Sequence, residues 1–563
     1  MKNIISTIIV ITLLATLAAC GGTSGSSSES AAISSAPESA LGTLASLPDD
    51  LQAVLNQELD EIQNAVEAIA PTHNMETSEE QEAMVKQVET IIAELGLPVR
   101  QYHNDMPNYE KITTFFDKVN AGENAFFSVY TVSAFGGLVI SGDVFYKSKE
   151  GFFELYGVIY QNESLAWERE IQKATPLKSL ELTANGNLLY YGNYEGAEGF
   201  GYRVVPQQKE YADAYWKYVW LVDVQADGVL TNSWNREAGF RDLPWGLIFE
   251  EIWERENGVT LVAEDNPYYH EIAYESWLGY AAIVPADVVE ETLQKYFNVS
   301  AEDLRKMTDP YREGDEAVLY HPTDNTYRIW GFRGGGYKPT VEVWGITENA
   351  DGSISLELAW VSLDFGNDGS VYSTLTVMPQ SDGGFKYISN IYSEDTVKGI
   401  VERSLELARN LEMIHQGGFE TTGESVEKNG YRFAAVDIEK LYQGEMKLGG
   451  VSGTESIKRW FYVIFEEAAA EKYIRQIFDT PLYIDADKDG AETLYVNQDV
   501  KGARIAPGEW LMEGFTVMEN TPERITVKMK LDTPDGKVDR ELTLVPAARN
   551  NWLLTDSYEG NMG

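Results

Sequence analysis

The chain has 563 residues, with 44 Lys and Arg against 89 Asp and Glu, one Cys and five His, for a formal net charge of −45. That charge repels phosphate backbones and argues against nucleic acid as a partner, while a lone Cys excludes an internal disulfide framework and any Cys-based zinc site. A 44% hydrophobic share excludes wholesale disorder, and at roughly 100–200 residues per domain the length predicts three or four domains.

Lys2 precedes an apolar run from Ile4 to Leu17, too short to span a bilayer and of the length of a secretory segment. The run ends in Leu17-Ala18-Ala19-Cys20, which matches the lipobox of bacterial lipoproteins. Residues 1–19 are therefore expected to be a signal peptide, and Cys20 the attachment point of acyl chains of the palmitate type. Residues 20–46 are expected to be a flexible tether, opening with Gly21-Gly22-Thr23-Ser24-Gly25. Two or more acyl chains hold a protein durably, so the expected location is the extracytoplasmic face of the cell membrane, lipid-anchored. No later segment is apolar for long enough to span the bilayer. The acidic body should stand off anionic headgroups.

Residues 47–105 read as a helical segment. Leu51, Leu55, Leu59, Ile62, Val66 and Ile69 recur at spacings of three and four, and a second helix starts near Thr77 and stops at Gly96-Leu97-Pro98. Such a pair forms either a stalk or a layer on the following domain. Residues 106–233 read as an α+β domain: a helix carrying Ile112, Phe115, Phe116 and Val119, then strands at 126–130, 138–146, 152–160 and onward to about Val205. Residues 234–396 repeat that order. A helix follows Pro285, Ser300 with Asp303 offers a capping box, and strands joined by Asp-Gly turns make an antiparallel meander.

In residues 397–563, Ile457, Phe461, Ile464 and Phe465 mark a helix after Thr454. Ile525, Val527, Met529 and Leu531 then alternate with polar residues, as in a sheet with one wet face. The fold class is thus α+β and multidomain, in helix-then-antiparallel-sheet units. Missing βαβ alternation argues against the two parallel lobes of a solute-binding protein.

Chemistry is sparse in the sequence. His73, His103, His270, His321 and His415 lie far apart, and none has a partner at metal-ligand spacing. Ser425-Val426-Glu427-Lys428 matches S-x-x-K by letter but runs into an Asn429-Gly430 turn. Asp485, Asp487 and Asp489 with Gly490 fit the first half of a calcium loop, yet position 12 is Val496. The same stretch reads as a hairpin turn between Leu482-Tyr483-Ile484 and Leu494-Tyr495-Val496, and both readings stand. No catalytic set emerges, so the chain is expected to be non-enzymatic, without a cofactor unless calcium binds. An acid-based glycosidase is a third reading, which requires a cleft holding two close carboxylates, one with a raised pKa. Tyr and Trp are abundant, but most fall at apolar strand positions and read as core rather than as a glycan-stacking surface.

From about Tyr431, the order of features resembles the IseA family of DL-endopeptidase inhibitors. The carrying stretches are Thr454-Glu455-Ser456-Ile457, the aromatic helix ending near Phe478, Leu494-Tyr495-Val496, Ile525-Thr526-Val527 and the closing Trp552-Leu553-Leu554-Thr555-Asp556-Ser557-Tyr558. The resemblance implies a cystatin-like or NTF2-like C-terminal domain that blocks a cell-wall hydrolase by filling its cleft. No inhibitory residue transfers. Residues 106–396 resemble lipoproteins of an uncharacterised family. The expected function is therefore a membrane-anchored protein that binds and inhibits a peptidoglycan endopeptidase. The alternative is an envelope binding module for glycan or protein without inhibitory activity.

Overall fold

The computed structural model describes residues 49–558 apart from 71–74, 76, 102–105, 136, 150, 162–164, 172–173, 195–196, 224–227, 237–239, 241–242, 262–265, 270–279, 309–318, 331–339, 364–365, 416, 438–452, 480, 489–490, 501–508 and 548–550. It is α+β and multidomain, as the hydrophobic patterning predicts. Two compact units emerge. One takes the described residues up to Asp213 with Pro339–Glu342 and Trp360–Ser370, and the other takes Ala214–Lys338, Val343–Ala359 and the chain from Val371 onward. Among the described residues no helix is long and apolar enough to cross a membrane.

The first unit opens with α1 (Asp49–Val66) and α2 (Ser78–Glu94). Leu51, Leu55, Leu59, Ile62 and Val66 are buried along one face of α1. Helix α2 starts at a reciprocal cap, in which the Thr77 hydroxyl accepts from the Glu80 N–H and the Glu80 carboxylate accepts from the Thr77 N–H. Strand β1 (Val99–Arg100) and helix α3 (Glu110–Asn120) follow. Next come β2 (Ala125–Phe135), β3 (Gly137–Ser148), β4 (Gly151–Gln161) and β5 (Trp167–Ile171). The run closes with β6 (Thr175–Leu182), β7 (Asn187–Tyr194) and β8 (Ala197–Arg203).

Among the described residues eight strands form one sheet in the order β1-β2-β3-β4-β6-β7-β8, with β5 also paired to β4. β1 runs parallel to β2, and the other pairs are antiparallel. Helices α1 and α2 are not a free stalk. They bury Leu55, Leu59, Val88 and Ile92 against Tyr130, Ile140, Val144, Leu155 and Ile159 on one sheet face.

In the second unit a single-turn π-helix at Tyr215–Val219 precedes β9 (Trp234–Asn235), α4 (Trp245–Asn257), β10 (Tyr280–Pro285) and α5 (Ala286–Tyr296). Then come β11 (Tyr320–His321), β12 (Thr326–Trp330), β13 (Thr340–Glu348), β14 (Ile354–Ser362), β15 (Asn367–Pro379) and β16 (Phe385–Tyr392), of which residues 340–342, 360–362 and 367–370 are counted with the first unit. β13 to β16 lie in sequence order in one sheet, with β9 beyond β16. Residues 214–233, grouped with the preceding strands in the sequence, fall in this unit. Their carbonyls hold its strands: Tyr387 Oη donates to Tyr218 O at 2.9 Å, and Asn390 Nδ2 to Leu230 O at 3.1 Å and Asn232 O at 2.8 Å.

The C-terminal portion of the unit holds α6 (Glu394–His415), β17 (Thr421–Lys428), β18 (Tyr431–Val436), α7 (Thr454–Ile464) and α8 (Glu467–Phe478). It continues through β19 (Tyr483–Lys488), β20 (Ala491–Asn497), β21 (Glu509–Thr521), β22 (Arg524–Thr533), β23 (Gly536–Pro546) and β24 (Trp552–Leu554). Two four-stranded antiparallel sheets result, ordered β17-β18-β20-β19 and β21-β22-β23-β24. Val397, Val401 and Leu405 of α6, Phe461 of α7, Tyr473 of α8 and Val527, Leu544 and Leu554 of the last sheet share one core.

Candidate ligand cleft

The face of the first sheet opposite α1 and α2 is aromatic at one end. Phe127, Phe145, Phe152, Tyr190 and Tyr202 lie there with Ile112, Phe115 and Phe116 of α3. Two contacts show that the sheet curls strongly around this face. Phe145 of β3 and Tyr190 of β7 have ring centroids 4.9 Å apart, although two strands separate theirs in the sheet. Arg100 of β1, at one edge, lies 4.8 Å over the ring of Tyr202 in β8, at the other. Neighbouring strands are about 4.8 Å apart, so a flat sheet would hold those edges about 29 Å apart.

Beyond the aromatic rings the same concave face turns polar. Cross-strand partners share a face, so the register sets Val129, Asp143 and Tyr156 in one rung and Thr131, Ser141, Val158 and Glu170 in the next, with Arg100 beside Thr131. Glu154 pairs with Phe145, diagonal to Asp143. Diagonal neighbours of this kind sit about 7 Å apart.

Burial pushes the Asp143 carboxyl up to about 7, the Glu154 charge adds to this, and the Arg100 guanidinium opposes it. The Tyr156 hydroxyl is raised, first by burial and then by Asp143, against a hydrogen bond from Ser141. Tyr202 is 3% exposed, and its hydroxyl has no hydrogen-bond partner among the described residues. Neither the Asp143 carboxyl nor the Arg100 guanidinium makes a hydrogen bond or salt bridge among them, although the Arg100 charge acts on Asp143. Three polar groups thus converge inside a curled sheet without satisfying one another. Two neighbouring acids, one with a raised pKa even against the Arg100 charge, are also what the glycosidase reading requires.

The residues singled out in the sequence stand elsewhere. Cys20, His73, His103, His270 and Asp489 lie outside the described residues, as does the Asp487 side chain. β19 and β20 pair from Tyr483↔Val496 to Lys488↔Ala491, so residues 489–490 connect two strands of a hairpin. The Asp485 carboxylate caps α7: it accepts from the Thr454 N–H at 3.0 and 3.1 Å and from the Thr454 hydroxyl. No group of three or more His, Cys, Asp or Glu able to hold a metal is found among the described residues. His415 is buried at the end of α6, with Nε2 3.1 Å from Gln476 Oε1. Ser425 and Lys428 lie on β17, an edge strand, before a turn with positive φ at Asn429 and Gly430.

A hollow of about 540 Å³ lies at the start of α6 and is lined by Glu394, Asp395, Lys398, Met512 and Phe515 among others. Its acids occupy the helix N-terminus, where the dipole favours them. The cleft residues Arg100, Asp143, Glu154 and Tyr202 carry no spacing signal, because cross-strand register and sheet curl bring them together.

The fold is that of a multidomain α+β protein whose first sheet curls around a concave face carrying Arg100, Asp143, Glu154 and Tyr202. The chain belongs to a family of unknown function, DUF6070, whose profile matches residues 52–404. No curated protein matches it. The family match ends within α6, leaving α7, α8 and the two C-terminal sheets outside it.

Proposed function

We propose that the chain is a membrane-anchored, extracytoplasmic binding protein of the cell envelope, without chemistry of its own, which receives a wall-derived ligand in the cleft of the first unit. The observation that carries the reading is the convergence of Asp143, Tyr202 and Arg100, each lacking a hydrogen-bond partner among the described residues, on the concave face. Of the three, the Tyr202 hydroxyl is the fully buried one, and a buried polar group without a partner calls for an occupant. The test is calorimetric titration and co-sedimentation of the full mature chain with purified peptidoglycan and its soluble fragments. Binding that is lost in Asp143→Asn supports the reading, and no binding to any of them removes it. Turnover of a glycan would replace it by the glycosidase reading.

A second reading concerns the C-terminal portion, proposed to follow a cystatin-like plan and to restrain a cell-wall endopeptidase. Two observations favour it: these elements lie outside the family match, and α7 exposes Tyr462 and Val463 side by side, at 44% and 48%. A strongly acidic surface speeds docking to a basic hydrolase. Saturating full-length protein should slow wall lysis by an NlpC/P60-type hydrolase, with Tyr462→Ala relieving the effect. Unchanged lysis together with no pull-down ends this reading.

A further inference from the structure

The charges of the cleft specify what fits it. Asp143 and Glu154 lie on adjacent strands, and Glu170 stands on the next rung at the rim. The positive charge acting on Asp143 is that of Arg100. A simple anion meets carboxylates on the floor. A neutral sugar brings no charge to either Arg100 or Asp143, which then have only each other at a distance. A simple cation complements the acids but leaves the guanidinium bare. A molecule carrying both signs a few ångströms apart satisfies every group.

We infer that the cleft takes a zwitterion, a free α-amino acid or a short peptide, with its ammonium on Asp143, its carboxylate on Arg100 and the Tyr202 hydroxyl donating to the bound ligand. The inference rests on the cleft being a binding site, as proposed above. Spacing supports it. Arg100 lies two strands from Asp143 and two residues along, so their Cα atoms are about 12 Å apart. An extended arginine and an aspartate close most of that distance and leave a gap of amino-acid size. The guanidinium presents paired N–H groups that match a carboxylate, an arrangement lysine does not reproduce. The aromatic wall of Tyr190 and Tyr202 supplies apolar contact for a side chain. Glu154 adds a second negative charge that holds the ammonium end at this side of the cleft.

The experiment is calorimetric titration of the full mature chain with free α-amino acids in D and L forms and with alanyl dipeptides. The dipeptides are also supplied N-acetylated, which removes the cation, and as C-terminal amides, which removes the anion. The expected result is binding of at least one zwitterion, weakened at least tenfold by either modification. Asp143→Asn should weaken it at least tenfold. Arg100→Gln should do the same, with Arg100→Lys recovering part of the loss. Arg100 is exposed, so its variants fold even if Asp143→Asn does not. Binding of glycan fragments without any zwitterion overturns this inference and leaves the cleft reading intact. Binding of nothing overturns both.

Discussion

Asp143→Asn offers the sharpest physical test of the cleft, because its effect reverses the usual expectation for a polar substitution. The folded-state pKa is about 7 against a reference of 3.8, so the native state holds an extra proton between those values. Stability tied to this group is therefore fully present below about pH 4 and is lost as pH rises through 7. A shift of about 3 units at about 1.36 kcal/mol each sets an upper bound of about 4 kcal/mol. Asparagine cannot ionise. The variant should match the natural protein near pH 3 and exceed it at pH 8, by up to that amount.

Glu89, also pushed up to about 7 by burial, titrates in the same window of the same unit, so the natural protein keeps a pH slope that the variant only reduces. Global unfolding of two units is not one transition. Amide hydrogen exchange of peptides covering β3 and β4, at both pH values, reads the effect locally. Equal protection in variant and natural protein at pH 8, or a loss that is the same at both pH values, would refute the reasoning.

Four further outcomes follow from the same structure. Arg203 and Glu342 form a salt bridge at 2.6 Å with side chains 8% and 4% exposed, so Arg203→Met should cost about 3–5 kcal/mol in urea unfolding, and Arg203→Met with Glu342→Leu should return most of it. Asp368 accepts from Thr183 Oγ1 at 2.7 Å, Asn185 Nδ2 at 2.6 Å and Asn187 Nδ2 at 2.7 Å, and Asp368→Ala should destabilise the first unit by about 3 kcal/mol in the same assay. Asp485→Ala removes the cap on α7 and should cost about 1 kcal/mol; calcium titrated into the natural chain and this variant measures at once whether the acidic hairpin binds metal. Cys20→Ser should move the protein from the detergent phase to the aqueous phase on Triton X-114 partition, and continued detergent partition would defeat the lipid-anchor proposal.

Local signals in the sequence reached the structure where one short stretch decides the outcome. Thr77 with Glu80 and Ser300 with Asp303 are caps, since a single side chain and an N–H three residues on settle each. Asn429 and Gly430, at φ of 52° and 81°, turn the chain as an Asn-Gly pair should. The sequence reading passed over α6. Its buried Val397, Val401, Leu405, Ala408, Leu411 and Ile414 keep helical spacing, but the stripe is one residue wide and thinned by Ala408. It also missed α4, where Trp245, Ile248, Phe249, Ile252 and Trp253 are all buried. Those positions keep the three-and-four spacing of an amphipathic helix, with Glu251, Glu254 and Glu256 on the wetter side, so the period was present in the sequence and was overlooked. The cleft was illegible for a different reason. Arg100 and Tyr202 stand 102 positions apart, at opposite edges of a sheet whose curl no local pattern encodes.

The three acids of the first unit separate structure from function. Glu342 has Arg203, and Asp368 has three donors, so each acid is compensated by groups of the fold itself. Asp143 is half-buried and desolvated enough to raise its pKa, yet the fold gives it only the distant charge of Arg100, sets Glu154 nearby and leaves the Tyr202 hydroxyl unsatisfied. The fold evidently can neutralise an acid by supplying donors, since it does so at Asp368. Leaving Asp143 uncompensated costs stability, and such costs concentrate where a ligand later supplies the missing partners. The arrangement that destabilises the empty cleft is therefore the one that gives a zwitterion its affinity. Strengthening the empty protein by Asp143→Asn and abolishing its binding should be two readings of a single substitution.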